Sequence, residues 1–234
     1  MITKTIAKPH NKLILTAAIA AALFSSMPVQ ALEKGDILVR ARVININPDV
    51  NNGNELTLHS NGMPLGGGVD VDDATTLDID FTYMVTNNFG VELLLDLSSK
   101  HDVKATGALS GTDIGDVRVL PPALIAQWHF LPNNNIRPYA GAGVNYTFIF
   151  DENTDGDLDN ALGGNTKLSV DDTWGMVAQV GVDIDINKDW YVNIDAKYIQ
   201  MNTHAEVKVD GVKTADANFD LNPMVLGVGI GTRF

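Results

Sequence analysis

The stretch Trp174-Gly-Met-Val-Ala-Gln-Val-Gly-Val-Asp-Ile-Asp-Ile186 decides the fold. Trp174, Met176, Ala178, Val180, Val182, Ile184 and Ile186 are apolar, while Gly175, Gln179, Gly181, Asp183 and Asp185 alternate with them as small or polar residues. Strict period two is the signature of a strand with one apolar and one polar face. At about 3.3 Å per residue the stretch is roughly 40 Å long, twice a usual globular strand. Tilted by about 45°, such a strand crosses the hydrocarbon core of a bilayer.

The same alternation recurs along the chain. Ile37, Val39, Ala41 and Val43 interleave with Arg40 and Arg42, and Leu77, Ile79, Phe81, Tyr83 and Val85 with Asp78, Asp80 and Thr82. Val91, Leu93, Leu95 and Leu97 interleave with Glu92, Leu94, Asp96 and Ser98, and Leu124, Ala126, Trp128 and Phe130 with Ile125, Gln127 and His129. Tyr146, Phe148 and Phe150 form a fifth such series, Val192, Ile194, Ala196 and Tyr198 a seventh, and Leu226, Val228, Ile230, Thr232 and Phe234 an eighth. Three connections, around Asn87, at 132–136 and at Asn187–Asp189, are short. Those at 47–73, 100–115, 151–171 and 203–217 are long and rich in Gly, Asn and Asp. Short turns on one rim and long loops on the other predict an all-β fold: an eight-stranded antiparallel transmembrane β-barrel with short periplasmic turns and long extracellular loops.

A soluble eight-stranded barrel also alternates, but with its apolar residues inside. Three features place the apolar face outside. The polar alternates are mostly Gly, Asp, Asn and Gln rather than Lys and Glu. Aromatics such as Tyr83, Trp128, Trp174 and Trp190 fall near strand ends, where interfacial girdles form. The last residue, Phe234, ends an alternating strand.

Residues 1–31 read as a leader. Lys4, Lys8 and Lys12 precede the apolar run Leu13–Phe24, which is too short to span as a helix, and Val29-Gln-Ala31 has the small residues of a cleavage site. The alternative is a retained membrane anchor. Cleavage after Ala31 leaves residues 32–234 as the barrel, with 13 basic against 29 acidic side chains, a net charge of −16. That balance excludes a general nucleic-acid binder. The absence of Cys excludes disulfide scaffolds, thiolate metal sites and Cys nucleophiles.

Several stretches together resemble the OmpW family of small outer-membrane proteins: Phe81-Thr-Tyr-Met84, Asn88-Phe-Gly-Val-Glu-Leu-Leu94, Leu120-Pro-Pro-Ala-Leu124 with Ala126-Gln-Trp128, Arg137-Pro-Tyr-Ala-Gly-Ala-Gly-Val-Asn-Tyr146, Asp172-Thr-Trp-Gly175, Gln179-Val-Gly-Val-Asp183, Asp189-Trp190 and Arg233-Phe234. The resemblance implies a narrow, partly apolar lumen in a Gram-negative outer membrane. It also implies passive passage of small hydrophobic molecules with lateral release into the bilayer. The expected partners are outer-membrane lipid, lipopolysaccharide and such solutes, with a monomeric barrel and no cofactor.

The inward positions form a polar network of Arg40, Arg42, Asp78, Asp80, Glu92, Asp96, Asp183, Asp185, Asp195 and Lys197. Charges at membrane depth must be paired or hydrated. The network is either structural filling or a polar barrier to straight-through flow. Leu94 lies inward between Glu92 and Asp96 and is either the candidate constriction or ordinary lumen packing. The family often carries a bulky aromatic on strand seven; Lys197 occupies that inward position here and puts a polar plug in its place. In the first long loop Leu56, Leu58, Met63 and Leu65 form a candidate ligand funnel, or pack the loop on itself. Pro121 and Pro122 break strand four, because proline cannot donate to a ladder. The break is either a side exit or a bulge. Asp151, Asn153, Asp155, Asp157 and Asp159 match the start of a calcium loop, D-x-[DN]-x-[DN]-G, but Leu162 stands where a bidentate Glu is needed, so the run is at most a weak metal candidate beside a solvated acidic loop. No Ser or Asp is paired with His59, His101, His129 or His204 at a recognisable spacing, and no phosphate-binding Gly motif opens a helix. The chain therefore reads as a non-enzyme. The rivals to a conduit are a structural or adhesive protein whose barrel anchors its loops, and a lipid-acting enzyme.

Overall fold

The computed structural model describes residues 31–50, 57–58, 68–107 and 110–234. Eight antiparallel staves close into a barrel. They are β1 (Ile37–Asn47), β3 and β4 (Val69–Val71, Ala74–Met84), β5 and β6 (Phe89–Asp96, Ser99–Ala105), β7 and β8 (Asp113–Leu120, Ala123–His129), β9 (Ile136–Thr154), β10 and β11 (Thr166–Val170, Thr173–Asp185), β12 (Trp190–Val209), and β13 and β14 (Val212–Leu221, Met224–Arg233). A two-residue strand, β2 (Thr57–Leu58), pairs with β13. Among the described residues no helix is long and apolar enough to cross a membrane.

The lower barrel runs β1-β4-β5-β8-β9-β11-β12-β14 and returns to β1. The closing pair extends from Leu38↔Arg233 to Asn47↔Met224, and backbone bonds between Ile37 and Phe234 finish it. Closure leaves no edge, which hydrocarbon cannot tolerate. Side-chain orientation follows the pleat. Val43, Leu77, Leu93, Leu124, Val180, Ile194 and Val228 are exposed on the outer wall, whereas Arg40, Asp80, Glu92, Gln127, Asp183 and Asn193 are buried inside. Two aromatic girdles bound the apolar band. Tyr83, Trp128, Phe130, Trp190 and Phe234 mark the short-turn rim, and Phe148, Trp174 and Tyr198 the upper limit. Tyr146 packs edge-on against Phe148 and Trp174 there, at centroid distances of 4.7 and 4.9 Å.

Above the upper girdle the staves continue, and here the predicted loops are corrected. Much of 100–115, 151–171 and 203–217 is strand. Five staves are interrupted at about one height, at Asp72-Asp73, Leu97-Ser98, Pro121-Pro122, Asp171-Asp172 and Asn222-Pro223. Beyond the breaks, β3-β6-β7-β9 and β10-β12-β13-β2 form two ladders. Their inner faces share one apolar core that includes Val103, Ile114, Val117, Leu168, Val207 and Phe219. The β12–β13 connection is a two-residue turn. Asp210 and Gly211 both have positive φ, 50° and 82°, the type I′ geometry that suits the twist of a hairpin. A short helix, α1 (Gly156–Leu162), is N-capped by Asp155 and ends at Gly163 in the left-handed region. It buries Leu158 against the same core.

Gly211→Val places a β-branched residue at φ 82°. The expected cost is about 1–2 kcal/mol. Amide exchange should accelerate at the β12–β13 tip and stay unchanged in the closing β1–β14 pair.

Candidate functional site

The lumen has three storeys. The lowest is polar. Arg40 is fully buried, and its Nη2 and Nε meet both oxygens of Asp183 at 2.9 and 3.1 Å. Its Nη1 donates to Asp80 at 2.9 Å and to Thr82 at 2.8 Å. The guanidinium also lies over the rings of Tyr139 and Tyr191, 5.1 and 5.8 Å from their centroids. Gly181 and Gly231 create the room for those rings. A Cβ on either would come within 2.4 Å of a tyrosine ring atom. Arg42 pairs with Asp78 at 2.8 Å and Asp80 at 2.7 Å, Lys197 with Asp195 at 2.5 Å, and Arg137 with Asp185 at 2.7 Å. Glu92 has Gln127 Nε2 at 2.5 Å and Gln179 Nε2 at 3.1 Å. Leu32, Leu38 and Met84 form a buried apolar cluster beside this network at the short-turn end.

Nine of the ten residues predicted for the network are thus brought together in ion pairs, while the tenth, Asp96, lies higher, against the cavity above. Neighbours on adjacent strands pair, Arg40 with Asp80 and Arg42 with Asp78. Asp183 instead reaches Arg40 across the lumen, and Asp185 takes Arg137. The reading missed Arg137, Gln127, Gln179, Asn193, Tyr139 and Tyr191. Each sits at an inward position of an alternating stave, so their parity was available.

The middle storey is an apolar belt. Leu94, with 1 % of its surface exposed, packs in a cluster with Ile44, Ile125, Val177, Ile199 and Val225. Above it opens a cavity of about 130 Å³, walled by the core shared between the upper ladders and reaching Pro121 in the wall. Leu94 does not line this cavity; it lies one layer deeper. Four buried polar side chains do line it: Asp96, Ser99, His101 and Thr203. His101 Nδ1 is 3.0 Å from the Asp72 carbonyl and Nε2 is 2.9 Å from Ser99 Oγ. A carbonyl only accepts, so Nδ1 carries the proton in the neutral ring and Ser99 donates to Nε2. Period-two parity on β6 was legible here too, but the stretch read as a loop.

The wall is thin beside Pro121. β5 and β8 pair up to Leu94↔Ala123, and β6 and β7 resume at Ser99↔Val119. Between them Leu95–Ser98 faces Leu120–Pro122 with no ladder pairs. On the other side the ladder is bridged, since Tyr146 N donates to the Pro122 carbonyl at 3.1 Å.

Leu56, Met63 and Leu65 lie outside the described residues, as does the side chain of Leu58, whose backbone is in β2. The acidic run near 151–159 is split by secondary structure. Asp151 and Asn153 are on β9, where Asp151 approaches Arg118 at 3.6 Å and Asn153 donates to Asp116. Asp155 caps α1, and Asp159 accepts from Thr166 N at 2.7 Å. Among the described residues no three metal-ligating side chains converge. The run changes from strand to helix at Asp155, so its carboxylates turn to separate partners instead of winding round one point.

A model of the OmpW family matches residues 33–234. This chain belongs to the OmpW family. Outer membrane protein W of Salmonella typhimurium is 39% identical over 224 residues, covering 95% of this chain and 100% of that protein. The dibenzothiophene metabolism operon protein PahQ of Pseudomonas aeruginosa is 31% identical over 169 residues, 72% of this chain and 76% of that one. The crystal structure of the outer membrane protein OprG from Pseudomonas aeruginosa superposes with a TM-score of 0.80 at 29% identity, covering 88% of this chain and 99% of that chain. The protein is therefore an outer-membrane barrel.

Two outcomes follow from the lumen. Arg40→Ala leaves Asp183 buried without its cation and takes one of two from Asp80, and should destabilise the barrel by about 3–5 kcal/mol, read from urea unfolding in lipid vesicles. Burial holds the His101 imidazole, above the membrane band, below its ordinary value of 6.5, against the opposing pull of the Asp72 carbonyl. The unfolded chain then takes up a proton at a higher pH than the folded one. Stability is complete above pH 6.5 and is lost as the pH falls below it. His101→Asn should flatten that decline in unfolding measured from pH 7.5 to 5.

Proposed function

We propose that the barrel is a passive outer-membrane conduit for small hydrophobic molecules, which enter from the extracellular side and leave sideways into the bilayer. It is a transport protein rather than an enzyme in this reading, with residues 1–31 as its cleaved leader and 32–234 as its mature, monomeric barrel. Its surroundings are lipid and lipopolysaccharide. The observation that carries the proposal is the stacking of an apolar cavity on an ion-paired base. An apolar solute loses nothing in the cavity and would have to displace buried charge pairs to continue downwards. The unpaired stretch between Leu95–Ser98 and Leu120–Pro122 is the low-cost way out, because the cavity already touches Pro121. Leu94 acts as part of the seal against ions beneath the exit. The relative named for dibenzothiophene metabolism lends support, since that name points to a hydrophobic aromatic compound.

The test uses vesicles with lipopolysaccharide in the outer leaflet and naphthalene uptake followed by fluorescence. The barrel should speed uptake several-fold, and Pro121→Ala, which restores a backbone donor at the break, should slow it. Leu94→Ala should raise ionic conductance in planar bilayers and leave naphthalene uptake unchanged. Equal uptake with and without the barrel would favour the rival reading, a membrane anchor for surface loops.

A further inference from the structure

Asp96 stands apart from every other carboxylate of the lumen. It ends β5, has 5% of its surface exposed and lines the base of the apolar cavity. Its Oδ1 is buried without a hydrogen-bond partner, and among the described residues no cation lies within ion-pair distance of it. Asp78, its register partner across the ladder, is by contrast held by Arg42 and Lys197. A buried carboxylate without a donor is costly, and a native barrel that keeps one has a use for it.

The other buried polar groups of the cavity share one property. His101 has both ring nitrogens engaged, so it offers no proton. Ser99 spends its hydroxyl proton on His101, and Thr203 spends its own on the Asp171 carbonyl at 2.6 Å. What Ser99, Thr203 and Asp96 present to the cavity is lone pairs. The charge balance agrees. Among the described residues the buried lumen holds four cationic side chains, Arg40, Arg42, Arg137 and Lys197, against seven carboxyls. An apolar chamber whose polar end only accepts hydrogen bonds, above a surplus of acid, fits a ligand that is hydrocarbon at one end and a donor, best a cation, at the other.

We propose that the base of the cavity is a subsite for hydrophobic primary amines, with Asp96 receiving the ammonium group. The upper core holds the hydrocarbon body, and Ser99 offers a second acceptor. The inference rests on the conduit reading and sharpens it. The channel sorts apolar solutes by head group, taking ammonium over hydroxyl and excluding carboxylate.

Hexylamine, hexanol and hexanoate carry one body and three heads. They are titrated against the barrel in nanodiscs of zwitterionic phospholipid, with shifts of the Val103, Ile114 and Leu168 methyl resonances as the readout. Hexylamine should bind roughly tenfold more tightly than hexanoate, the scale of one charge-assisted hydrogen bond, with hexanol between them. In Asp96→Asn, nearly isosteric, the three should converge while hexanol keeps its affinity, which also shows that the variant is folded. Equal affinities in the native barrel, or an amine preference that survives Asp96→Asn, overturn the subsite while naphthalene uptake leaves the conduit standing. If none of the three compounds moves the cavity resonances, the conduit reading falls with it.

Discussion

Hydrocarbon offers no hydrogen bonds, and everything else in this molecule follows from that. Each backbone N–H and C=O inside the band must find a partner within the protein, so the sheet has to close. The pairing of β1 with β14 does this, from Leu38↔Arg233 to Asn47↔Met224. Closure at eight strands makes the interior narrow, just wide enough for side chains. The polar residues excluded from the lipid face must then satisfy one another inside. Arg40 shows how completely they do so, with Asp183, Asp80 and Thr82 as partners and two tyrosine rings alongside.

The same economy separates the two halves of the lumen. Within the band the interior is filled by charge pairs and capped by the apolar belt around Leu94. Above the upper girdle the constraint is lifted, since water can solvate the outer face. The staves break at the girdle itself, and above it two ladders replace the closed cylinder, their inner faces leaving an apolar chamber. A chamber above a charged base has one inexpensive outlet, the side, and the proline break lies at that height. Function in this account is a product of where polar satisfaction stops rather than of any reactive group.

Fold and orientation were legible because the lipid face imposes strict parity over whole staves. Trp174–Ile186 alone carries the argument. The upper structure was harder to read. Asn, Asp and Gly in 203–217 suggested a loop, yet a strand above the membrane is wet on one face and tolerates polar residues. The Asp210-Gly211 pair between alternating residues was the signal that a tight hairpin lay there. Ser99, His101 and Thr203 were hidden by the same misreading. Asp96 was placed inward by parity alone, but that it lacked a partner depended on which cations crossed the lumen. Such long-range pairing, as between Arg40 and Asp183 or Arg137 and Asp185, leaves no mark in local sequence. The calcium-like run failed for the opposite reason, a local pattern that the strand and α1 pull apart.

The central claim is that an apolar solute travels through the upper chamber and departs above a sealed base. A photoreactive apolar probe in lipopolysaccharide-containing vesicles reads that route directly through the positions of its covalent adducts. The account predicts adducts on Val103, Val119 and Pro121 and none on Leu38 or Met84. Adducts on Leu38 and Met84 would mean that solutes run the full length of the cylinder, and would contradict it.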